Sequence, residues 1–218
     1  MARPFEQHRV FWRQFRQQFH TTGAIAPSGR ALGRALSRFV RTGEATGPRR
    51  ILEVGPGTGA VTTHICRAMR PEDALDLVEL NDAFVKHLID RFDNADPFRA
   101  VKSRANVHHC RVEELNPREP YDLIVSGLPL NNFAVADVEQ ILSTLRRFLR
   151  PGGGVLSFFE YVAIRRAKSV VGKRADRERL RGISGILSKL FDEHEFRRDL
   201  VLTNIPPAWV HHVRFAKA

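Results

Sequence analysis

The chain has 218 residues, 43% of them hydrophobic, which suffices for one globular domain with an extension and a full core. Its 35 Lys and Arg against 24 Asp and Glu give a formal charge of +11, a balance that favours a polyanionic partner, either nucleic acid or an anionic membrane surface. No run approaches the ~20 apolar residues of a membrane-spanning helix, residues 1–20 lack the uninterrupted apolar core of a secretory signal, and the two cysteines, Cys66 and Cys110, make no disulfide framework; the expected location is the cytoplasm.

The first segment is basic and amphipathic. On a helix advancing ~100° per residue, Phe5, Phe11, Trp12, Phe15 and Phe19 share one arc while Arg9, Arg13 and Arg16 lie opposite. Residues 1–41 hold eight arginines and one acid, Glu6, and Arg30, Arg34, Arg38 and Arg41 share a second helix face. Aromatic rings suit the boundary of headgroups and acyl chains, and arginines suit anionic lipid. The same stripe also suits a helix packed on its own domain. Residues 1–45 are therefore expected to form amphipathic and basic helices, a membrane anchor and active-site lid, with residues 46–218 as the catalytic domain.

An aliphatic run then enters three glycines, Ile51-Leu-Glu-Val-Gly-Pro-Gly-Thr-Gly59, and a second apolar run ends in Glu79. The glycines read G-x-G-x-G, not the G-x-G-x-x-G of dinucleotide folds, and follow an acid two positions earlier. That is the pattern for S-adenosyl-L-methionine. It predicts that Gly55, Gly57 and Gly59 admit the methionine part, that Glu53 sits near its ammonium group and that Glu79 takes the ribose hydroxyls; Thr58 and Leu80 are grouped with them as cofactor contacts.

Further strands are expected at 74–80, 106–110, 121–126 and 155–161, the last after the turn signal Arg150-Pro-Gly-Gly-Gly154. Helices are expected at about 60–69, 81–92 and 137–149. Runs at 198–203 and 209–215, joined by Asn204-Ile-Pro-Pro-Ala208, predict an antiparallel pair at a sheet edge. The fold class is thus α/β, a Rossmann-like methyltransferase fold with a mostly parallel seven-stranded sheet. A second basic segment spans 165–181. His108-His109-Cys110 and His211-His212 do not make a metal site, because neighbours on a strand point to opposite faces.

Four segments in this order, Thr22-Gly-Ala-Ile-Ala-Pro-Ser28, Leu52-Glu-Val-Gly-Pro-Gly-Thr-Gly59, Ser126-Gly-Leu-Pro-Leu130 and Asn204-Ile-Pro-Pro-Ala208, resemble the bacterial phospholipid N-methyltransferases that methylate phosphatidylethanolamine, relatives of the rRNA adenine dimethylases. The resemblance spans almost the whole chain. It implies an aminolipid acceptor, with phosphatidylethanolamine the family's usual substrate and ornithine lipid offering a similar primary amine, on the inner face of the cell membrane. Ser126, Gly127 and Leu128 end the fourth strand beside the cofactor, where backbone carbonyls can hold an amine and the missing Gly127 side chain leaves it room. Glu160 and Tyr161 fall where the family binds the acceptor headgroup. The adenine-reading acid expected after the third strand is replaced by Cys110-Arg111-Val112, leaving Glu113 or the Val112 amide as candidates.

Adenine methyltransferases carry an aromatic after the proline of the fourth-strand motif, and here Leu130 stands there, which counts against a nucleic-acid acceptor. The rival readings are an rRNA or DNA adenine N6-methyltransferase, with Phe133 as a stacking ring, and a non-catalytic membrane or nucleic-acid adaptor.

Overall fold

The computed structural model describes residues 27–42, 47–162 and 174–216; the aromatic stripe of residues 5–19 and the first part of the basic segment, 165–173, lie outside them. Two helices, α1 (Pro27–Leu36) and α2 (Arg38–Thr42), precede an alternation of β1 (Arg50–Val54), α3 (Ala60–Ala68), β2 (Ala74–Glu79), α4 (Asp82–Asn94), β3 (Ala105–His109), β4 (Leu123–Ser126), α5 (Val135–Phe148) and β5 (Val155–Tyr161). The described chain closes with α6 (Arg174–His194), β6 (Glu195–Val201) and β7 (Ala208–Val213).

The strands form one seven-stranded sheet in the order β3-β2-β1-β4-β5-β7-β6. Strands β3 to β5 are parallel, and β7, inserted between β5 and β6, runs against both. The expected Rossmann-like sheet with an antiparallel hairpin at its edge is present. All strands but β7 point the same way, so the C-terminal ends of β1, β2, β4 and β5 and the β6–β7 turn share one edge.

Alternation along the central strands builds two cores. Leu52, Val54, Ile124, Leu156 and Phe158 face α5 and α6, whereas Ile51, Leu75, Leu77, Val125 and Phe159 face α1, α3 and α4. Leu36 and Val40 of the first two helices are buried in the second core. Helix α1 meets α3 closely, because Gly33 leaves space that a Cβ would have to share with the His64 ring. Arg38, expected on a free basic face, is instead bonded to Asp199 of β6 at 2.6 Å.

Buried ion pairs pin the opposite edge. Arg49 and Asp73, both almost fully buried, meet at 2.5 Å before β1 and β2, and Asp73 also accepts from the Arg49 and Arg70 backbone. Its carboxyl is held below the usual range by those bonds, against the pull of burial. Removing Arg49 would leave a buried charge unpaired, the costly way to break such a pair.

The structure departs most from the expected elements in three places. The fourth strand starts at Leu123, since Tyr121 makes only an isolated bridge to Leu149 and sends its hydroxyl to Asp76. Strand β6 begins at Glu195, three residues early, where a register shift between Glu195 and Arg197 interrupts its alternation. Helix α6 was not anticipated: its charged first half obscures the pattern of Leu180, Ile183 and Leu187, which are buried. The four histidines go to separate partners: His108 to Asp76, His109 to the Leu80 carbonyl, His211 to Glu195 and His212 to Ser157 and Asp199. Among the described residues no three potential ligands converge.

Candidate active site

The glycine turn after β1 is held open by backbone geometry. Gly55, Gly57 and Gly59 have φ of 70°, 55° and 80°, the left-handed region that side chains disfavour. A Cβ on Gly57 would meet nothing within 4 Å, so the turn presents bare backbone to open space there. Gly55 is crowded by Leu128, and Gly59 by Phe98 and Arg91.

Two elements fix this turn from behind. Glu79, at the end of β2, accepts from the Gly57 amide at 3.0 Å and from the Asn81 amide at 2.8 Å. Arg91 of α4 donates to the Thr58 carbonyl at 2.8 Å, and its guanidinium lies 3.9 Å from the Phe98 ring centroid. The Gly59 carbonyl and Thr63 hydroxyl are at 3.4 Å from the same side chain. Sequence reasoning missed Arg91; its only signal was a lone cation in the last turn of the helix after β2, indistinguishable from a solvated one.

Beside the turn runs a cleft lined by Gly55, Glu79, Leu80, Val112, Glu113 and Leu128, with Phe133, Asp137 and Ile141 of the α5 region on its far wall. The structure therefore brings together residues from the ends of β1, β2 and β4 and the loop after β3, the crevice where open parallel sheets place ligands. Both candidates after β3 face it. Val112 is buried, and Glu113 is paired with Arg111 at 3.4 Å. Asp137, on the first turn of α5, is a cleft acid that the sequence reading did not single out.

Other expected site residues stand behind or beside this cleft. Glu53 is not in its wall; it lies beneath the glycine turn on the α3 face, 1% exposed, with Oε2 lacking a hydrogen-bond partner. Burial pushes its carboxyl up to about 8, nearby Thr62 opposing this and the charge of Glu79 adding to it. Ser126 is buried at the end of β4, its hydroxyl 3.4 Å from the Leu128 amide. A Cβ on Gly127 would lie 2.7 Å from the Gly55 carbonyl oxygen. The space left by that glycine is thus already taken by the β1 turn and is not room for an amine, contrary to expectation.

Glu160 and Tyr161 end β5 and, as strand neighbours, point to opposite faces. Glu160 is buried on the face shared with Phe158, its carboxylate 3.9 Å from His211. Tyr161 packs edge-on against Phe159 in the other core, where burial raises its hydroxyl. The structure does not bring these two to one point.

The residues fit a nucleoside with a cationic tail. Glu79 is buried, its acid raised by burial against the pull of its backbone bonds, and it uses two acceptor positions of the roughly four a carboxylate offers. A buried carboxylate oxygen without a partner at Glu53 suits a nearby cation.

Residues 51–153 match the family model for a methyltransferase domain. The chain is 26% identical over 144 residues, 66% of its length and 73% of the relative's, to an ornithine lipid N-methyltransferase of Singulisphaera acidiphila. It is 29% identical over 117 residues to a ubiquinone/menaquinone biosynthesis C-methyltransferase of Idiomarina loihiensis, covering 52% of this chain and 44% of that one. The fold matches the N-methyltransferase NodS of Bradyrhizobium japonicum in complex with S-adenosyl-L-homocysteine, with a TM-score of 0.62 and 16% identity, over 87% of this chain and 88% of NodS. Residues 51–153 thus match a methyltransferase domain, and the fold around them is the class I fold of methyltransferases crystallised with S-adenosyl-L-methionine or its product S-adenosyl-L-homocysteine.

Proposed function

We propose that the protein methylates the primary amine of a membrane aminolipid headgroup, phosphatidylethanolamine or ornithine lipid, at an anionic membrane surface. The likeness to the ornithine lipid N-methyltransferase, which extends over two thirds of the chain, is the observation that carries this reading. The end of β4 supports it: Leu128 and Leu130 are both buried there, so the motif offers backbone and aliphatic walls where base-modifying relatives place a ring.

S-adenosylmethionine supplies an electrophilic methyl group on a sulfonium. The chain's own residues hold and dehydrate the reactants. Glu79 accepts from ribose hydroxyls while its other acceptor positions keep the Gly57 turn in place. Glu53, ionising under the turn, balances the ammonium charge. Val112 and Glu113 frame the adenine end, and Leu80 and Leu128 supply apolar walls. At the acceptor side, the Gly127–Leu128 backbone and the buried Glu160 carboxylate face an amine arriving at the ends of β4 and β5. A free amine with a reference pKa of ~10.4 is a minor species at neutral pH, so desolvation and these acceptors must favour its neutral form. Orientation then accounts for much of the acceleration.

Expression in a host that makes both lipids, followed by mass spectrometry of the lipid extract, tests this reading. It predicts species heavier by one or more methyl groups in one aminolipid class. Unchanged aminolipids beside newly methylated RNA would overturn it in favour of the adenine reading.

A further inference from the structure

The β6–β7 hairpin carries an exposed apolar tip. Leu202 and Ile205, in the turn between the strands, are 69% and 89% exposed, and Leu200 at the end of β6 is 44% exposed. Single exposed apolar residues need no explanation; three on one short hairpin do.

Register fixes where this tip lies. Tyr161 pairs with Ala208 and the Val162 amide donates to the Pro207 carbonyl at 2.9 Å, so the turn stands level with the end of β5. Leu200 sits opposite Trp209, which itself sits opposite Glu160. The tip is therefore on the same sheet edge as the cleft, two to three strands from β4, or about 10–15 Å at the usual strand spacing.

Cations flank it. Arg198 lies over the Trp209 ring, 4.9 Å from its centroid. Helix α6 starts from this same edge, since it leads back to Glu195 at the far end of β6, and its first turns carry exposed Arg177 and Arg181. Neither arginine has a carboxylate partner among the described residues, unlike Arg174, which pairs with Glu178. An apolar tip with Arg198 beside it, and exposed Arg177 and Arg181 on the same sheet edge by the β4–α5 loop that Arg179 binds, on a chain of formal charge +11, complements an anionic bilayer, which takes apolar side chains at its boundary and cations at its phosphates.

We infer that the β6–β7 hairpin is a membrane-docking wedge: Leu200, Leu202 and Ile205 enter the interface of an anionic bilayer, Arg177, Arg181 and Arg198 meet its phosphates, and the cleft edge is thereby held against the lipid headgroups. This rests on the reading of the acceptor as an aminolipid.

Flotation of the full chain with vesicles of phosphatidylcholine and phosphatidylglycerol tests the wedge without turnover, because neither lipid has a primary amine. The double variant Leu202→Ser, Ile205→Ser should lose about tenfold in vesicle binding, as expected for partial burial of two aliphatic side chains. It should keep cofactor affinity, and turnover of aminolipid dispersed in detergent should persist. Arg177→Ala with Arg181→Ala should flatten the salt dependence of binding and leave a salt-resistant part. A parent chain that ignores these vesicles, or a double variant that floats with them like the parent, overturns the wedge. A parent that floats but never methylates an aminolipid sinks the acceptor reading and leaves the docking surface standing.

Discussion

Glu53 makes the sharpest single-residue statement. Its carboxyl, ordinarily near 4.5, is pushed by burial to about 8. In the ligand-free protein at pH 7 it is mostly protonated, and the neutral form stabilises the fold fully below 4.5, an advantage lost as pH rises through about 8. A cationic ligand nearby favours the carboxylate, so binding S-adenosylmethionine at pH 7 should release up to about one proton. Calorimetry in buffers of different ionisation enthalpy measures this, and Glu53→Gln should abolish the release; equal proton counts in parent and variant would remove Glu53 from the site. Gly127 makes a different test. Because its Cβ would strike the Gly55 carbonyl at 2.7 Å, Gly127→Val should lower cofactor affinity together with turnover and destabilise the fold by about 1–3 kcal/mol. Intact binding with turnover alone lost would show that the position guards the acceptor. The places of Glu53 and Glu79 near the ends of β1 and β2 were readable from spacing, since each stands at or next to the end of an apolar run beside the G-x-G-x-G turn. The direction of Gly127 was not, because it depends on how β4 lies beside β1.

The glycine turn, α4 and the terminal hairpin show how elements carry the site. Arg91 reaches from α4 to the Thr58 carbonyl and so couples that helix to the turn. Arg91→Ala should raise the dissociation constant for S-adenosylmethionine by about tenfold, in line with hydrogen bonds to a charged group. Arg91→Lys should restore little, as it lacks the planar fork; full rescue by lysine would mean that charge alone matters. At the other end, His212 of β7 is bonded to Ser157 and Asp199, and burial lowers it from 6.5 to about 4, the nearby Asp199 opposing this. The buried neutral ring contributes stability present above pH 6.5 and lost as pH falls through about 4. Thermal melts should show that loss between those values, and His212→Gln should flatten the curve there; an unchanged profile would place the acid sensitivity elsewhere, His211 and His64 also being lowered by burial. Strands β1, β2 and β5 were legible because they are mostly apolar runs buried on both faces. Helix α6 and the start of β6 were not, because charged residues dominate there and few side chains are buried: Leu180, Ile183 and Leu187 in the helix and Val201 in the strand.

For the whole molecule, a parallel sheet collects the cofactor cleft, the end of β4 and the hairpin tip on one edge. No described helix is long and apolar enough to cross a membrane. The formal charge of +11 suits either anionic lipid or nucleic acid, and composition alone leaves both open. The direct measurement is methyl transfer by the purified protein from isotopically labelled S-adenosylmethionine. Vesicles containing phosphatidylethanolamine or ornithine lipid are offered in parallel with RNA and DNA. The account predicts label in an aminolipid amine and a chromatographic shift of that lipid, with none in nucleic acid. Label in adenine and none in either lipid would contradict it.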